Sequence, residues 1–318
     1  MSSLVTGAGG FVGQWLVRSL LERGESERVT GFSFGDPSGI GVLTAEQRAK
    51  TNWIEGDIRD SDAVENAIEE SRPDAIYHLA GVTFVPAAGA DPAATYEVNT
   101  MGVARLLAAL ARHGKSERAA TRVLVVGSAE QYGPHDLSEC PLVESAAQKP
   151  ATVYAASKSA QEIIALQAFS GFNIPVIATR SFNHSGRGQE PRFLLPGLIQ
   201  RLRTLSQSGA RQLPIGNTTT VRDFLHVSDV VAAYIALVER GRPGEVYNVA
   251  SGKGWSVGEL VDLALRVTGV GAKPQRDESL ARAADVEWLV GDSAKLRKDT
   301  GWAPTRTVED IIRELWNA

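Results

Sequence analysis

The chain has 318 residues, of which 43% are hydrophobic and 22% are charged, with a formal net charge of −4. This length and composition are ordinary for a soluble globular protein with a sizeable core. The small negative charge gives no electrostatic reason to expect a nucleic acid or an acidic membrane as a partner.

Cysteine content and the length of apolar runs bear on the cellular compartment of the protein. The single cysteine, Cys140, excludes an internal disulfide framework and a cysteine-rich zinc site, and it suits a reducing compartment. The longest uninterrupted apolar run, Val230 to Val238, is too short to span a bilayer. A first strand that begins almost at residue 1 leaves no room for a signal peptide. The sequence therefore predicts a cytoplasmic protein without a membrane partner.

Short apolar runs alternate with longer amphipathic stretches through the first half of the chain. Strands are predicted at residues 3–6, 28–34, 52–55, 75–79, 122–126 and 175–179. Helices are predicted at residues 11–22, 61–70, 93–113 and 153–172. This alternation predicts βαβ units, and the apolar character of the strands indicates a parallel sheet with helices on both faces.

The second half of the chain is richer in loops, with Gly, Asn, Arg and Pro clustered between Asn183 and Pro191. Helices are predicted at residues 196–205 and 229–238. A third helix is predicted to begin at a capping box formed by Ser256 and Glu259 and to end at Val267. Two more are predicted after the N-caps Asp292 and Thr307, and the second of these ends near Trp316.

The run Thr6-Gly7-Ala8-Gly9-Gly10-Phe11-Val12-Gly13 joins the first predicted strand to the first predicted helix. Glycines allow a sharp turn and let a pyrophosphate approach the amides at a helix N-terminus. Such a run also fits an ordinary strand-to-helix turn. With the βαβ pattern it predicts an α/β fold, a Rossmann-type doubly wound parallel sheet. Residues 1–180 form the predicted dinucleotide-binding domain, to which 220–250 return, and 181–219 with 251–318 form a smaller α/β substrate-binding lobe.

Tyr154 and Lys158 lie four residues apart at the start of a predicted helix, so the phenol and the ammonium share one face. A nearby ammonium and a positive nicotinamide ring both favour phenolate. We therefore expect the Tyr154 pKa to fall from its usual value of about 10 toward the range of a general acid or base. The same spacing also arises by chance, as a surface Tyr beside a solvated Lys.

Ser128 follows the apolar strand 123–127, at the sheet edge where parallel strands open onto a cofactor crevice. A hydroxyl there can donate a hydrogen bond to a substrate carbonyl beside Tyr154. The commoner use of Ser at a strand end is a turn or a cap, and the sequence leaves both uses open.

The glycine run, Ser128 and the Tyr154/Lys158 pair, in this chain order, make the whole chain resemble an extended short-chain dehydrogenase/reductase. Within that family the chain is most similar to the GDP-4-keto-6-deoxy-mannose reductases and their nucleotide-sugar epimerase and dehydratase relatives. Supporting runs are Tyr77-His78-Leu79-Ala80-Gly81, Val126-Gly127-Ser128 with Glu130 and Tyr132-Gly133, Phe182-Asn183-His184 with Gly186 and Gly188-Gln189, Val221-Arg222-Asp223-Phe224 with Asp229-Val230-Val231, Gly244-Glu245-Val246-Tyr247-Asn248-Val249, and Gly301-Trp302.

The resemblance implies a role for each matching residue. The cofactor would be bound by Gly7, Gly10, Phe11, Val12 and Gly13 at the pyrophosphate, Asp57 and Ile58 at the adenine, and Leu79, Ala80 and Gly81 along the channel, with Asn99 as support. At the reaction centre, Ser128 and Tyr154 would hold the keto oxygen and Lys158 the nicotinamide ribose. The nucleotide-diphosphate sugar substrate would be bound by Asn183, Arg222 and Arg282. For the two arginines, a surface ion pair with Asp223 or Asp285 is the alternative.

Glu130 and a missing segment bear on the reaction. In the resembling sugar 4,6-dehydratases, a carboxylate two residues after the Ser or Thr is an additional acid or base, and Glu130 matches it. Related 4-keto reductases can carry this carboxylate too. The long Ser- and Arg-rich segment that follows the second strand of GDP-mannose dehydratases is missing here, which favours a reductase.

The expected activity is therefore that of an NAD(P)-dependent oxidoreductase that reduces the 4-keto group of a nucleotide-linked 4-keto-6-deoxyhexose. One alternative is a nucleotide-sugar 4-epimerase with tightly bound NAD, and another is a GDP-mannose 4,6-dehydratase-like enzyme. A non-catalytic dinucleotide sensor is a further alternative, but such proteins commonly lack the active-site Tyr or Lys.

The end of the second strand bears on the choice of cofactor. NAD-preferring enzymes usually place Asp or Glu there to bind the ribose 2′-hydroxyl, whereas this chain has Ser33, and Asp36 falls later, in a turn. Reductase relatives often have Arg in the next position, where this chain has Phe34. We predict NADP(H), with NAD(H) as the alternative.

Three further expectations concern the substrate, metals and assembly. Ser181 and Arg187 each stand where the family pattern often has Pro, beside the substrate, so the identity of the sugar stays open. The histidines show no HxxxH or HxH spacing, and no metal site is predicted. The helices at 93–113 and 153–172 are rich in Ala, and in the resembling family they pair into a four-helix bundle, so a homodimer is expected.

Overall fold

The computed structural model describes residues 1–24, 28–35, 41–112, 120–280 and 286–318. Asp36, His113, Arg282 and Asp285 lie outside the described residues. In chain order the strands are β1 Ser2–Thr6, β2 Arg28–Ser33, β3 Asn52–Glu55, β4 Ala75–His78, β5 Arg122–Ser128, β6 Val176–Ser181, β7 Asn183–Ser185, β8 Gln212–Ile215, β9 Val221–His226, β10 Val246–Val249, β11 Gly254–Ser256, β12 Lys273–Arg276 and β13 Trp288–Leu289.

Seven of these strands form one sheet, in the spatial order β10-β6-β5-β4-β1-β2-β3. Every neighbouring pair in this sheet is parallel. The chain builds outward from β1 to β3 on one side and then returns to build β4, β5 and β6 on the other. This reversal leaves a crevice at the carboxyl ends of β1 and β4, where open α/β sheets bind ligands. The predicted Rossmann-type α/β fold is confirmed.

Helices cover both faces of this sheet. In chain order, the α-helices of the described segments are α1 Phe11–Leu21, α2 Ala45–Lys50, α3 Ser61–Ser71, α4 Val85–Ala90, α5 Pro92–Tyr96, α6 Gly102–Arg112, α7 Val153–Phe172, α8 Leu194–Ser208, α9 Val227–Arg240, α10 Val257–Thr268, α11 Ala294–Thr300 and α12 Val308–Asn317. On one face, α1 and α9 bury Leu16 and Tyr234 with their neighbours. On the other face, α3, α6 and α7 bury Ile68, Leu106 and Ala165. Burial of this apolar surface drives the layered packing.

A second core lies beside the large sheet. Strand β9 pairs in parallel with β7 and β13 and antiparallel with β11, while β8 pairs with β12. Helices α8, α10 and α12 pack around buried residues that include Leu198, Leu260 and Ile311. These three helices were predicted from the sequence, but none of the short strands was, because their mixed polar sequences show neither an apolar run nor a sustained alternation.

Two predicted helix features need correction. The helix predicted at 93–113 is helical from Pro92 to Arg112, but its hydrogen bonding widens to a π-helix over Glu97–Met101. The N-cap of α11 is Ser293 rather than Asp292, whose carboxylate accepts a hydrogen bond from the amide of Ala294 at 2.6 Å. The capping boxes at Ser256 and Thr307 are present, the first of them as predicted with Glu259. None of the helices in the described segments combines the length and apolar character of a membrane span.

Candidate active site

A cleft with a volume of about 750 Å³ opens at the carboxyl ends of the parallel strands. This volume is in the range of sites for small molecules and cofactors. Its walls come from residues within segments 7–13, 32–34, 56–59, 79–85, 126–130, 181–184 and 188–193, together with Val98, Tyr154, Lys158, Tyr234 and Leu289. Among the residues predicted to bind the cofactor, those lining the cleft are Gly7, Gly10, Phe11, Val12, Gly13, Ser33, Asp57, Ile58, Leu79, Ala80, Gly81, Tyr154 and Lys158.

The glycine turn between β1 and α1 is compact enough to require glycine. Gly7 has a φ of +71°, and a Cβ there would lie 2.8 Å from the amide nitrogen of Ala80. A Cβ on Gly13 would lie 2.2 Å from the carbonyl oxygen of Gly7. Gly10, the N-cap of α1, has no capping side chain, so the first amides of the helix can donate hydrogen bonds to a bound anion.

The ends of β2 and β3 form one end of the cleft. Ser33 is buried there, while Phe34 is 78% exposed. Asp57 accepts hydrogen bonds from Arg59, with Nη2 to Oδ2 at 2.6 Å and Nε to Oδ2 at 2.9 Å. These bonds hold the Asp57 pKa below its usual value. Arg59 also lines the cleft; it was not predicted, because it belongs to no sequence motif of the fold.

Asn99 lies behind the cleft wall rather than in it. It belongs to the π-helical turn and is fully buried. Its Oδ1 accepts a hydrogen bond from the amide of Val82 at 2.7 Å, and its Nδ2 donates to the carbonyl oxygen of Val82 at 3.0 Å and to Ser157 Oγ at 2.9 Å. Asn99 therefore ties the loop after β4 to helix α7.

Tyr154 and Lys158 lie on the first two turns of α7, which Thr152 caps by accepting a hydrogen bond from the amide of Ala155. The Lys158 ammonium donates to the carbonyl oxygen of Val126 at 2.9 Å and to Gln161 Oε1 at 3.0 Å. Burial lowers the Lys158 pKa to about 8. These contacts hold the amine at the end of β5, in the wall of the cleft.

The pKa of Tyr154 departs from its usual value in the direction opposite to the expectation. Burial raises it to about 12, the hydrogen bond with Ser128 acts to lower it, and the charge of Glu130 adds to the rise. The expectation that Lys158 would lower this pKa is wrong for the side chains of the chain itself, because desolvation of the phenolate, together with the charge of Glu130, outweighs the hydrogen bond with Ser128. At neutral pH the phenol is therefore protonated and able to donate.

Of the two uses that the sequence left open for Ser128, the structure shows the cap. Its Oγ caps the short 3₁₀ turn Ala129–Tyr132 by accepting a hydrogen bond from the amide of Glu130 at 3.2 Å. The same hydroxyl hydrogen-bonds with Tyr154 and lines the cleft. Glu130, one residue into the turn, also lines the cleft, so the turn presents a hydroxyl and a carboxylate beside the phenol.

A buried polar chain that the sequence analysis missed holds this turn in place. Arg180 on β6 donates to both carboxylate oxygens of Glu162 on α7, at 2.7 and 2.9 Å. Glu162 accepts a further hydrogen bond from Gln131 Nε2 at 2.8 Å, and Gln131 Oε1 accepts one from the amide of Ser128, also at 2.8 Å. The available signal was the helical spacing, because Glu162 follows Lys158 by four residues.

The two described residues predicted to bind substrate, Asn183 and Arg222, are not brought together. Asn183 lines the cleft at the start of β7. Arg222 is buried on β9 outside the cleft lining and donates from Nη1 to the carbonyl oxygen of Val221 at 2.8 Å. Arg282 lies outside the described residues, so only Asn183 is placed in the cleft.

Two aromatic rings and a cation, none of them predicted, also line the cleft. Phe84 and Phe193 meet edge to face with ring centroids 5.7 Å apart. The Arg192 guanidinium lies 4.9 Å from the Phe84 centroid and 5.5 Å from that of Phe193. These residues can stack on a planar group and attract an anion. Across the described part of the chain, no group of three or more His, Cys, Asp or Glu side chains is arranged to hold a metal ion.

Comparison with known proteins agrees with this arrangement. The model of the GDP-mannose 4,6 dehydratase family matches residues 4–315. GDP-6-deoxy-D-mannose reductase of Pseudomonas aeruginosa is 35% identical over 244 residues, which cover 76% of this chain and 79% of the reductase. UDP-glucose 4-epimerase of Lacticaseibacillus casei is 26% identical, with 100% and 96% covered.

The fold of a solved relative is also similar. The structure of RMD from Pseudomonas aeruginosa complexed with NADPH has a TM-score of 0.81 and 30% identity to this chain, and the match covers 100% of this chain and 98% of the other. The resemblance drawn from the sequence is confirmed by these matches. The chain belongs to the GDP-mannose 4,6-dehydratase family, a family of enzymes within the extended short-chain dehydrogenases/reductases.

Proposed function

We propose that this enzyme reduces the 4-keto group of a nucleotide-linked 4-keto-6-deoxyhexose, such as a GDP-4-keto-6-deoxy-mannose-like sugar. One observation carries the proposal: Ser128, Tyr154 and Lys158 line the same cleft as the glycine turn between β1 and α1. The similarity to GDP-6-deoxy-D-mannose reductase supports reduction over the other reactions of the family.

A nicotinamide dinucleotide fits the residues at the glycine turn. Gly7 and Gly13 let the turn close tightly, in a shape that any Cβ would obstruct, and the N-terminus of α1 favours a negatively charged group. When bound, the reduced cofactor would supply the hydride. The roles proposed for Asp57 and Ile58 at the adenine agree with their position at the opposite end of the cleft from Tyr154.

NADP(H) is the proposed form of the cofactor, with NAD(H) as the alternative. Ser33 has no charge to repel a 2′-phosphate, and Arg59 lines the same end of the cleft. Relatives often have Arg where this chain has Phe34, and Arg59 would supply the missing cation. Its guanidinium would bind both the 2′-phosphate and Asp57. The similar RMD structure is complexed with NADPH.

Tyr154 is proposed as the general acid. Reduction of a ketone needs a proton on the oxygen at C4 as hydride reaches the carbon, and a phenol whose pKa is about 12 holds that proton at neutral pH. Ser128 would donate a hydrogen bond to the same oxygen and stabilise its developing charge. Lys158 is charged below pH about 8 and would bring positive charge to this end of the cleft. Glu130 is a further candidate acid or base.

The nucleotide and diphosphate of the substrate would bind at the opposite wall. Phe84 and Phe193 offer aromatic surface to a base, and Arg192 is a cation in the cleft wall. Arg192 is therefore better placed for the diphosphate than the buried Arg222. Asn183 would donate to the sugar or to its phosphate.

The domain division and the assembly are also proposals. The cofactor would be bound by residues 1–180 with 220–250, and the substrate by 181–219 with 251–318. A homodimer would form through α6 and α7, because Ile163 is 66% exposed and Met101 is 41% exposed on this part of the surface.

The test is a kinetic assay with GDP-4-keto-6-deoxy-D-mannose and NADPH. The rate is measured from the loss of NADPH absorbance, and the sugar product is then identified. Tyr154→Phe should lower kcat by at least ~100-fold, whereas Tyr96→Phe, on the exposed surface of α5, should not. Full turnover by Tyr154→Phe would contradict the proposed acid. A protein that purifies with stoichiometric NAD and epimerises UDP-glucose without consuming NADPH would instead be an epimerase.

A further inference from the structure

A tight turn at residues 186–189 forms part of the cleft wall through Gly188 and Gln189. The amide of Gln189 donates to the carbonyl oxygen of Gly186 at 3.2 Å, and Gly188 has a φ of +91°. This is the pattern of a type II β-turn with Arg187 at its first corner. Proline is common at that corner because the turn itself makes no use of the amide there. Arg187 retains an amide N–H that proline would lack.

Both backbone groups of Arg187 are held from outside the turn. Its amide donates to Oε1 of Glu314, on α12, at 2.7 Å. Its carbonyl oxygen accepts a hydrogen bond from the indole nitrogen of Trp15, on α1, at 2.9 Å. The corner of the turn is thus clamped between the helix that follows the glycine turn and the helix near the end of the chain.

Glu314 is itself fixed by His226. The Nδ1 of His226 accepts a hydrogen bond from the amide of Ser228 at 3.1 Å, so the ring proton is on Nε2, which donates to Glu314 Oε2 at 2.9 Å. Burial acts to raise the Glu314 pKa, but the hydrogen bonds from His226 and Arg187 lower it overall. Glu314 therefore offers both carboxylate oxygens as acceptors. A Cβ on Gly186 would lie 3.5 Å from one of them, so the turn lies directly against this pair.

The turn continues into the strand that carries Asn183. Gln189 Oε1 accepts a hydrogen bond from Ser185 Oγ at 2.6 Å, and Gln189 Nε2 donates to the carbonyl oxygen of His184 at 3.1 Å. A shift of Arg187 would therefore move Gly188, Gln189 and strand β7 together.

We propose that Glu314 is a positioning residue that sets the affinity of the cleft for the nucleotide-linked keto sugar by holding the amide of Arg187. This inference rests on the proposed function, because the turn lines the part of the cleft assigned to the substrate. Glu314 lies outside the cleft lining and acts through the turn, so its removal weakens sugar binding and leaves the proton transfer at Tyr154 intact.

The kinetic test uses Glu314→Gln, which keeps the shape of the side chain and weakens the acceptor. The KM for GDP-4-keto-6-deoxy-D-mannose should rise about tenfold, while kcat and the KM for NADPH change less than about twofold. The matched control is Glu309→Gln on the same helix, whose partner Arg313 is on the surface, and it should change none of these constants. Arg187→Pro should raise the same KM, and Glu314→Gln should add little in that background.

Hydrogen exchange of the Arg187 amide, in the NADPH-saturated protein without sugar, gives a readout that does not depend on activity. Glu314→Gln should accelerate this exchange, and Glu309→Gln should not. Unchanged exchange, or faster exchange with an unchanged sugar KM, overturns the inference. Failure of the proposed function gives a different result. The wild-type protein then does not reduce the keto sugar, although Glu314→Gln still accelerates exchange of the Arg187 amide. In that case the proposed function and the substrate role of Glu314 are both rejected.

Discussion

The side chains of Tyr154 and Lys158 show how burial controls their chemistry. Both are buried, and burial moves the two pKa values apart, from 10.0 up to about 12 for the phenol and from 10.5 down to about 8 for the amine. In each case the neutral form is favoured because the charged form loses its hydration. The pair is therefore better prepared to donate a proton to a ketone than to take one from an alcohol.

Lys158 should make the stability of the protein depend on pH. Its pKa is about 8 in the folded protein and 10.5 in a solvated chain, so between these values the unfolded chain binds more protons. The free energy of unfolding should therefore rise as the pH rises from 8 toward 10.5, by up to ~3 kcal/mol. Lys158→Met should lack this rise and should lose most of its turnover. Urea denaturation at a series of pH values measures the difference, and parallel curves for the two proteins would contradict it.

Gly13 should tolerate no side chain. A Cβ there would lie 2.2 Å from the backbone of Gly7, so Gly13→Ala must displace the glycine turn. We expect the dissociation constant for NADPH, measured by quenching of tryptophan fluorescence, to rise at least ~10-fold, and stability to fall by about 1–3 kcal/mol. Gly89→Ala is the control, since its Cβ meets no atom within 4 Å in helix α4. Equal dissociation constants for NADPH in the Gly13→Ala and Gly89→Ala variants would contradict this prediction.

At the scale of single residues, a place in the cleft was predictable where it depends on nearby sequence. The glycines, Ser128 and the Tyr154/Lys158 pair stand in spacings that a turn or a helix requires. Glu162 and Arg180 could not be paired from the sequence, because their contact joins a helix to a strand 18 residues later. The same holds for Glu314 and Arg187, which are 127 residues apart.

Helix α7 is the element on which the site depends most. It presents Tyr154, Lys158 and Glu162 at intervals of four residues, so one face serves the phenol, the amine and the carboxylate that anchors the Ser128 turn. Its bounds, residues 153–172, were predicted from the sequence, whereas its N-cap Thr152 was not. The π-helical turn at Glu97–Met101 was not, since no periodicity in those residues distinguishes it from an α-helix.

Glu162→Gln tests whether the buried ion pair of Glu162 and Arg180 anchors the Ser128 turn more strongly than an exposed ion pair would. The change leaves Arg180 buried without its full counter-charge, which costs about 3–5 kcal/mol, and it loosens Gln131 and Ser128. We expect kcat to fall about tenfold with the KM for NADPH nearly constant. Glu46→Gln breaks an exposed pair with Lys50 and should cost less than ~1 kcal/mol. Urea denaturation and steady-state kinetics on both variants give the comparison, and equal losses of stability would refute the anchoring role.

For the whole molecule, the order of the strands in the large sheet determines where the candidate active site lies. The order β10-β6-β5-β4-β1-β2-β3 places the ends of β1, β4 and β5 side by side, although their residues are far apart in the chain. Both the glycine turn and the Ser128 turn therefore open onto one cleft. The second core then supplies the opposite wall, with Asn183, Arg192 and Phe193.

The proposed dimer can be tested on the same scale. Ile163→Glu puts a charge on an exposed apolar position of α7, and we expect it to halve the molar mass measured by light scattering. Leu137→Glu, at a position that is 62% exposed in a 3₁₀ turn away from α6 and α7, should leave the mass unchanged. A wild-type protein that already has the mass of one chain would rule out the dimer.

The amino-acid sequence alone determined the class of fold, the dinucleotide turn and the family, because each depends on local patterns: apolar periodicity, glycines at fixed spacing and a Tyr and Lys one helical turn apart. The tertiary structure alone decided how these groups behave. Burial reversed the expected pKa shift of Tyr154, long-range packing left Arg222 outside the cleft, and it brought Arg59, Arg192 and Glu314 to positions that no spacing predicts. Desolvation and contacts between distant segments arise only when the chain is folded.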